Sequence, residues 1–209
     1  MNGSTPSYIT LARERLRDYT PLSLDAPGTR PAAVLVLLYH DQGADRVLLT
    51  RRTDTLEHHK GQISFPGGGV HDADEDLAVT ALRETWEEVG IQPEDVEIIG
   101  RLDEIVTTSG FLVTPLVGVL RVTPYEFLPS EIEVAEVIEP QIAELLSYGT
   151  LRDERREVEG ATLHMPAFHW NGHRIWGATA RMLFGFLTLI SDTPLQGFDP
   201  AVTDARARS

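Results

Sequence analysis

A mixed α/β domain is the fold class that the sequence predicts, and three observations predict it. Pro31–His40 (PAAVLVLLYH) is a near-continuous apolar run, short enough to be a strand buried on both faces. Asp74–Val89 carries its apolar residues at helical spacing and is stopped by Gly90, a residue favoured just past a helix end. Trp170-Asn171-Gly172-His173 places an Asn-Gly pair between two strand-like runs, which is hairpin chemistry.

The remaining elements follow in order. Residues 8–18 have helical spacing and predict an N-terminal helix. Asp41–Asp45 is turn chemistry, with Val47–Arg51 as the partner strand of Pro31–His40. Ile63–Phe65 reads as a short strand running into a Pro66–Gly69 loop. Val96–Leu102 and Phe111–Val119 read as strands, Glu139–Leu146 as a short helix and Thr179–Ser191 as a largely buried helix closed by Asp192-Thr193-Pro194. With 209 residues and no repeat or linker, the expectation is one domain over 1–209, with its core in 31–191 and a polar tail over 192–209.

Composition narrows the function. The charges sum to −14, from 18 Lys and Arg against 32 Asp and Glu, which argues against a broad nucleic-acid-binding face. The absence of Cys removes disulfides, thiolate metal sites and cysteine nucleophiles. The apolar runs are less than half of the roughly 20 residues that a membrane helix needs, and no targeting signal is visible. The expectation is therefore a cytoplasmic protein with a small-molecule partner, no nucleic acid and no membrane.

The segment with most chemical information is Gly69–Ile91 (GVHDADEDLAVTALRETWEEVGI). On a helical wheel with Leu77 at zero, Leu77, Ala78, Ala81, Leu82, Thr85, Trp86 and Val89 fall between about 0° and 180° as an apolar stripe. Glu84, Glu87 and Glu88 fall at about 340°, 280° and 20°, clustered beside it. Glu84 and Glu88 repel as i,i+4 neighbours, and all three acids lie near the negative end of the helix dipole. A solvated acidic face would carry the same charges. A divalent cation relieves both repulsions, and carboxylate oxygens suit Mg²⁺.

The wider spacing decides between these readings. Gly69, Glu75, Arg83, Glu84, Glu87, Glu88, Gly90 and Ile91 match Gly-x5-Glu-x7-Arg-Glu-U-x-Glu-Glu-x-Gly-U, where U is aliphatic, with Thr85 the single departure. Seven fixed residues coincide by chance in such a chain about once in a million. This is the Nudix box, and the chain resembles a Nudix hydrolase. The resemblance implies a mixed sheet sandwiched between helices (α/β/α), with an N-terminal helix and a C-terminal helical elaboration. It implies hydrolysis of a diphosphate linked to another moiety, dependent on Mg²⁺ or Mn²⁺. By position it makes Glu84, Glu88 and Glu87 the metal ligands, has Arg83 and Glu75 orient them, and gives Gly67, Gly68 and Gly69 to metal and phosphate approach.

The residues upstream bear on the substrate. Leu48–Thr53 and Gly61–Gly68 resemble the second motif of the coenzyme A pyrophosphatase subgroup with its spacing intact, but Thr53 replaces Ser or Ala and Glu57 replaces Arg. Trp176–Ala180, leading into Met182–Ile190, also resembles this subgroup. Arg51, Arg52, Lys60 and Gln62 are the implied substrate contacts, and Arg46, Arg51, Arg52 and Lys60 form a basic patch suited to the 3′-phosphate of coenzyme A. His58 and His59 are adjacent and so point opposite ways on an extended chain, a poor arrangement for metal. Trp176, Phe184, Phe186 and Leu187 read as core. Glu104, Glu131 and Glu133 remain open as general bases. The leading expectation is a coenzyme A diphosphatase; the alternatives are a Nudix hydrolase for another nucleoside diphosphate derivative, such as ADP-ribose or a dinucleotide, and a non-catalytic ligand sensor.

Overall fold

The structure is a computed structural model that describes residues 7–54, 61–158 and 161–200. Helix α1 (Tyr8–Arg17) starts at Ser7, whose hydroxyl accepts from the Thr10 N–H. Strand β1 (Arg30–Asp41) then turns directly into β2 (Ala44–Val47), pairing Asp41 with Ala44. The second strand therefore begins earlier than the expected Val47. It also ends sooner: after Leu48 the chain enters β3 (Leu49–Arg52), which pairs in a different sheet with β4 (Ile63–Ser64) and β9 (Val134–Ile138).

The expected Pro66–Gly69 loop is also revised. Gly67–Gly69 is a strand, β5, antiparallel to Val34, Ala33 and Ala32 of β1. Pairing succeeds there because glycines let two backbones approach: a Cβ on Gly67, at φ +152°, would sit 2.4 Å from the Ala33 carbonyl oxygen. Helix α2 (Leu77–Val89) follows, capped by the Asp76 carboxylate on the Val79 N–H and stopped at Gly90. It starts three residues later than Asp74, because Asp74 is engaged elsewhere.

After a single 3₁₀ turn come β6 (Val96–Arg101), β7 (Ile105–Val106) and β8 (Phe111–Leu120). β8 runs parallel to β1, while β6 and β7 pair antiparallel with β8, so the main sheet is mixed with path β2-β1-β8-β6. The expected Glu139–Leu146 helix contracts to α3 (Ile142–Leu145). A second three-stranded sheet contains β10 (Leu151–Val158), β11 (Ala161–Trp170) and β12 (His173–Ile175), before α4 (Gly177–Ile190). The Asn-Gly turn joins β11 to β12 as expected, with Asn171 at φ 46° and Gly172 at φ 80°.

β1 shows why the main sheet is covered on both faces. Ala33, Leu35, Leu37 and Tyr39 join a cluster with Ala81 and Val89 of α2, whereas Ala32, Val36 and Leu38 join one with Leu16 of α1 and Leu183 and Phe186 of α4. Alternate side chains leave a strand on opposite faces, so one apolar run holds two cores. Phe168 and Ile175 belong to the α1–α4 core. The C-terminal sheet is thus integral to it. No helix among the described residues is long and apolar enough to cross a membrane.

Candidate active site

Helix α2 is rolled relative to its apolar stripe. Its buried residues are Thr80, Ala81, Thr85, Glu88 and Val89, whereas Trp86, expected inside, is 49% exposed. The roll carries the acids toward the β5 strand. The reason is lateral room: a Cβ on Gly68 would stand 2.5 Å from the Glu84 carboxyl carbon, so a glycine strand is what lets the carboxylate lie against the sheet. Thr85, the departure from the aliphatic slot, is fully buried with its hydroxyl donating to the Ala81 carbonyl at 2.7 Å. The polar atom is satisfied within the helix.

Arg83 organises the cluster. Its Nη1 donates to Glu84 at 2.8 Å and to Glu87 at 3.1 Å, its Nη2 to the Gly69 carbonyl at 3.2 Å and to Asp74 at 3.0 Å, and its Nε to Asp74 at 3.1 Å. These contacts match the five N–H donors of a guanidinium. Asp74 also accepts from the His71 N–H and the Thr80 hydroxyl, each at 2.9 Å. The Arg83 contact, foremost, holds the Asp74 carboxyl well below the usual carboxylate range. Glu75, expected to share the orienting role, is exposed, and among the described residues it makes no hydrogen bond to Arg83 or the glutamates. The acid that grips Arg83 is its neighbour Asp74.

Glu88 has the least compensated charge. Its side chain is 3% exposed, and among the described residues it has only the Thr50 hydroxyl at 3.4 Å and the Arg52 guanidinium at 3.8 Å. Burial pushes its carboxyl up to about 8, with Arg52 opposing and the charges of Glu84 and Glu133 adding. Burial likewise raises Glu84, and Arg83 counters it. Among the described residues no three acids or histidines are already gathered as a cage. The donor set nevertheless fits a hard divalent cation: oxygen ligands, a desolvated carboxylate short of positive charge, and backbone without side chains beside it.

These elements border a cleft of about 430 Å³. Its lining includes Arg52, Gln62 and Gly67–Gly69, as expected of residues placed near a ligand, together with Phe111 and the loop from Val106 to Ser109. Arg51 does not line it. Adjacent strand residues face opposite ways, and the Arg51 Nε donates to Glu136 at 2.9 Å. Arg46 is likewise engaged, donating to the Glu139 carbonyl at 2.8 Å. Lys60, with Glu57, His58 and His59, lies outside the described residues.

The far wall comes from the C-terminal sheet and α4: Arg156, Met165, Trp176 and Arg181. Sequence reasoning missed this wall, and Trp176, read as core, is half-buried and faces the cleft. Phe186 and Leu187 are fully buried as expected, while Phe184 is partly buried and packs edge-on against Phe198 at 5.1 Å. Among the open acids, Glu104 is occupied by the Leu24 N–H and the Thr114 hydroxyl, whereas the charge of Glu133 reaches both Glu84 and Glu88.

The pattern of the NUDIX domain family matches residues 29–159, more than half of the chain. The chain belongs to the Nudix family. It is 39% identical over 170 residues to "Uncharacterized Nudix hydrolase NudL" of Pectobacterium atrosepticum, covering 79% of this chain and 85% of the relative. It is 32% identical to "Nudix hydrolase 15, mitochondrial" of Arabidopsis thaliana, covering 83% of this chain and 64% of that one. The crystal structure of the M. smegmatis Nudix hydrolase RenU is similar at a TM-score of 0.47 and 24% identity, over 56% of this chain and 74% of that one. Nudix membership carries hydrolysis of a nucleoside diphosphate derivative and general use of divalent ions such as Mg²⁺ or Mn²⁺.

Proposed function

We propose that this Nudix hydrolase is a coenzyme A diphosphatase, cleaving the diphosphate to 3′,5′-ADP and 4′-phosphopantetheine. Water adds to one phosphorus, the bridging P–O bond breaks, and the departing phosphate keeps the bridging oxygen. The observation that carries the reading is a cleft lined, among the described residues, by arginines and by no Asp or Glu, bordered by the Glu84–Glu88 cluster, in a chain of net charge −14. The second motif over Leu48–Gly68 directs the choice toward coenzyme A.

In this reading Glu84, Glu88 and Glu87 hold Mg²⁺ or Mn²⁺. When bound, the ion neutralises diphosphate oxygens and lowers the pKa of water. Arg83, fixed by Asp74, orients Glu84 and Glu87. Arg52, whose buried Nε has no hydrogen-bond partner among the described residues, meets the diphosphate with charge-assisted hydrogen bonds. The Gly67–Gly69 strand lets the substrate approach backbone. Glu133, the open acid whose charge reaches both ligands, is the general base assigned here.

Glu57 in place of the subgroup arginine favours a second reading, hydrolysis of another nucleoside diphosphate derivative. Incubation with coenzyme A and Mg²⁺, with the products separated chromatographically, tests the choice. Both named products are expected. Their absence beside rapid cleavage of ADP-ribose or a dinucleotide would discard the coenzyme A assignment.

A further inference from the structure

We infer that the far wall of the cleft recognises a second phosphate on the substrate, a monoester remote from the hydrolysed linkage, through Arg156 and Arg181. The inference rests on the cleft being a nucleoside diphosphate site, and it goes further by assigning selectivity to two residues outside the Nudix box.

Several arginines of this acidic chain are matched by carboxylates: Arg13 by Glu97, Arg15 by Asp192, Arg51 by Glu136 and Arg174 by Glu154. Arg156 and Arg181 line the cleft, and among the described residues neither has an ion pair or a side-chain hydrogen bond. They come from different elements, β10 and the second turn of α4, yet border one cavity. Glu154, two residues before Arg156 and on the same face of β10, forms no ion pair with it. It is taken by Arg174 and by His169 at 3.1 Å.

Two exposed guanidinium forks on a cavity that no carboxylate lines among the described residues match the geometry of a phosphate better than that of a single diffuse charge. Trp176 and Met165 lie on the same wall and supply an apolar surface beside that charge. Arg52 is on another wall, beside Glu88. The cleft therefore has separate basic positions for the diphosphate and for a further anionic group. The basic patch expected from the sequence is replaced in this role, since Arg46 and Arg51 are engaged elsewhere.

Calorimetric titration of the protein in Mg²⁺ with 3′,5′-ADP, 2′,5′-ADP and 5′-AMP tests the inference without relying on turnover. At least one bisphosphate is expected to bind about tenfold or more tightly than 5′-AMP, with a ratio that shrinks as salt is raised. In Arg156→Gln/Arg181→Gln the ratio falls toward one while the melting temperature holds, since among the described residues neither side chain has a polar partner to lose. Equal binding of all three ligands by the unsubstituted protein, or an undiminished ratio in the double variant, overturns it. Hydrolysis of coenzyme A and 3′-dephospho-coenzyme A is measured in parallel. An intact ratio without coenzyme A cleavage removes the substrate reading alone; cleavage of both at equal kcat/KM with a ratio of one removes this inference alone.

Discussion

Glu88 is held where a carboxylate charge is costly, 3% exposed between Thr50 and Arg52. Its carboxyl is raised to about 8 in the folded protein against an ordinary 4.5. Between those values the folded state keeps a proton that the unfolded chain releases. The stability that this group contributes is complete below the unfolded value and is lost as pH rises through the folded one, on the order of a few kcal/mol. The metal-free protein should therefore lose melting temperature between pH 5.5 and 8.5 relative to Glu88→Gln; parallel curves would refute this. With Mg²⁺ present the same variant, like Glu84→Gln, should lose at least about a hundredfold in kcat, because removing a proposed metal ligand costs more than the 10- to 100-fold of removing a ligand's support. Above about pH 8, where Glu88 carries its charge, Glu88→Gln should not lower the metal-free melting temperature, since it deletes a buried charge that repels Glu84 near a helix C-terminus. Asp74 and Glu75 divide cleanly at this scale. Asp74→Asn weakens the grip on Arg83 and should cost about 10- to 100-fold in kcat, while Glu75→Gln, on an exposed side chain, should cost much less; steady-state kinetics of the pair decide it.

At the scale of the element, α2 and β5 work as a unit. The helix can roll its glutamates inward only against a strand that has no side chains, and Gly68 is the contact. Gly68→Ala should push the Glu84 carboxylate out of place, lowering metal affinity and kcat by about 10- to 100-fold with a small change in thermal midpoint, because a side-chain end can yield. Gly67→Ala differs, since its Cβ would meet the β1 backbone; it should lower the midpoint as well. Metal titrations and melts of the two variants separate these outcomes. The helix itself was legible from its period and from Gly90. Its buried face was legible only in part: the wheel put Trp86 at about 180° and Glu88 at about 20°, each near a margin of the stripe, and the structure exposes the first and buries the second. Periodicity identifies a stripe, but the opposing surface selects which arc is buried.

For the whole molecule, the cleft is completed by a sheet and helix far along the chain from the box. Phe168 of β11 is fully buried in the α1–α4 core, so Phe168→Ala should cost about 3–5 kcal/mol in denaturant unfolding and weaken ligand binding through the Arg156 wall. A variant that unfolds as readily as the parent would contradict this coupling. β9 and β10 escaped sequence reading because Val134–Ile138 is short and Leu151–Val158 is largely charged; β9 is stabilised by pairing with β3, far back in the chain, and β10 by pairing with the next strand, β11. The amino-acid order alone settled the spacing of Arg83, Glu84, Glu87 and Glu88 on one helix and the presence of a strand able to serve two cores, since both are periodicities of consecutive residues. Tertiary structure decided that Asp74 holds Arg83, that Arg52 enters the cleft while Arg51 leaves it, and that Arg156, Trp176 and Arg181 close the far wall. Those choices depend on which surfaces meet across long stretches of chain, and close packing, not local spacing, determines that meeting.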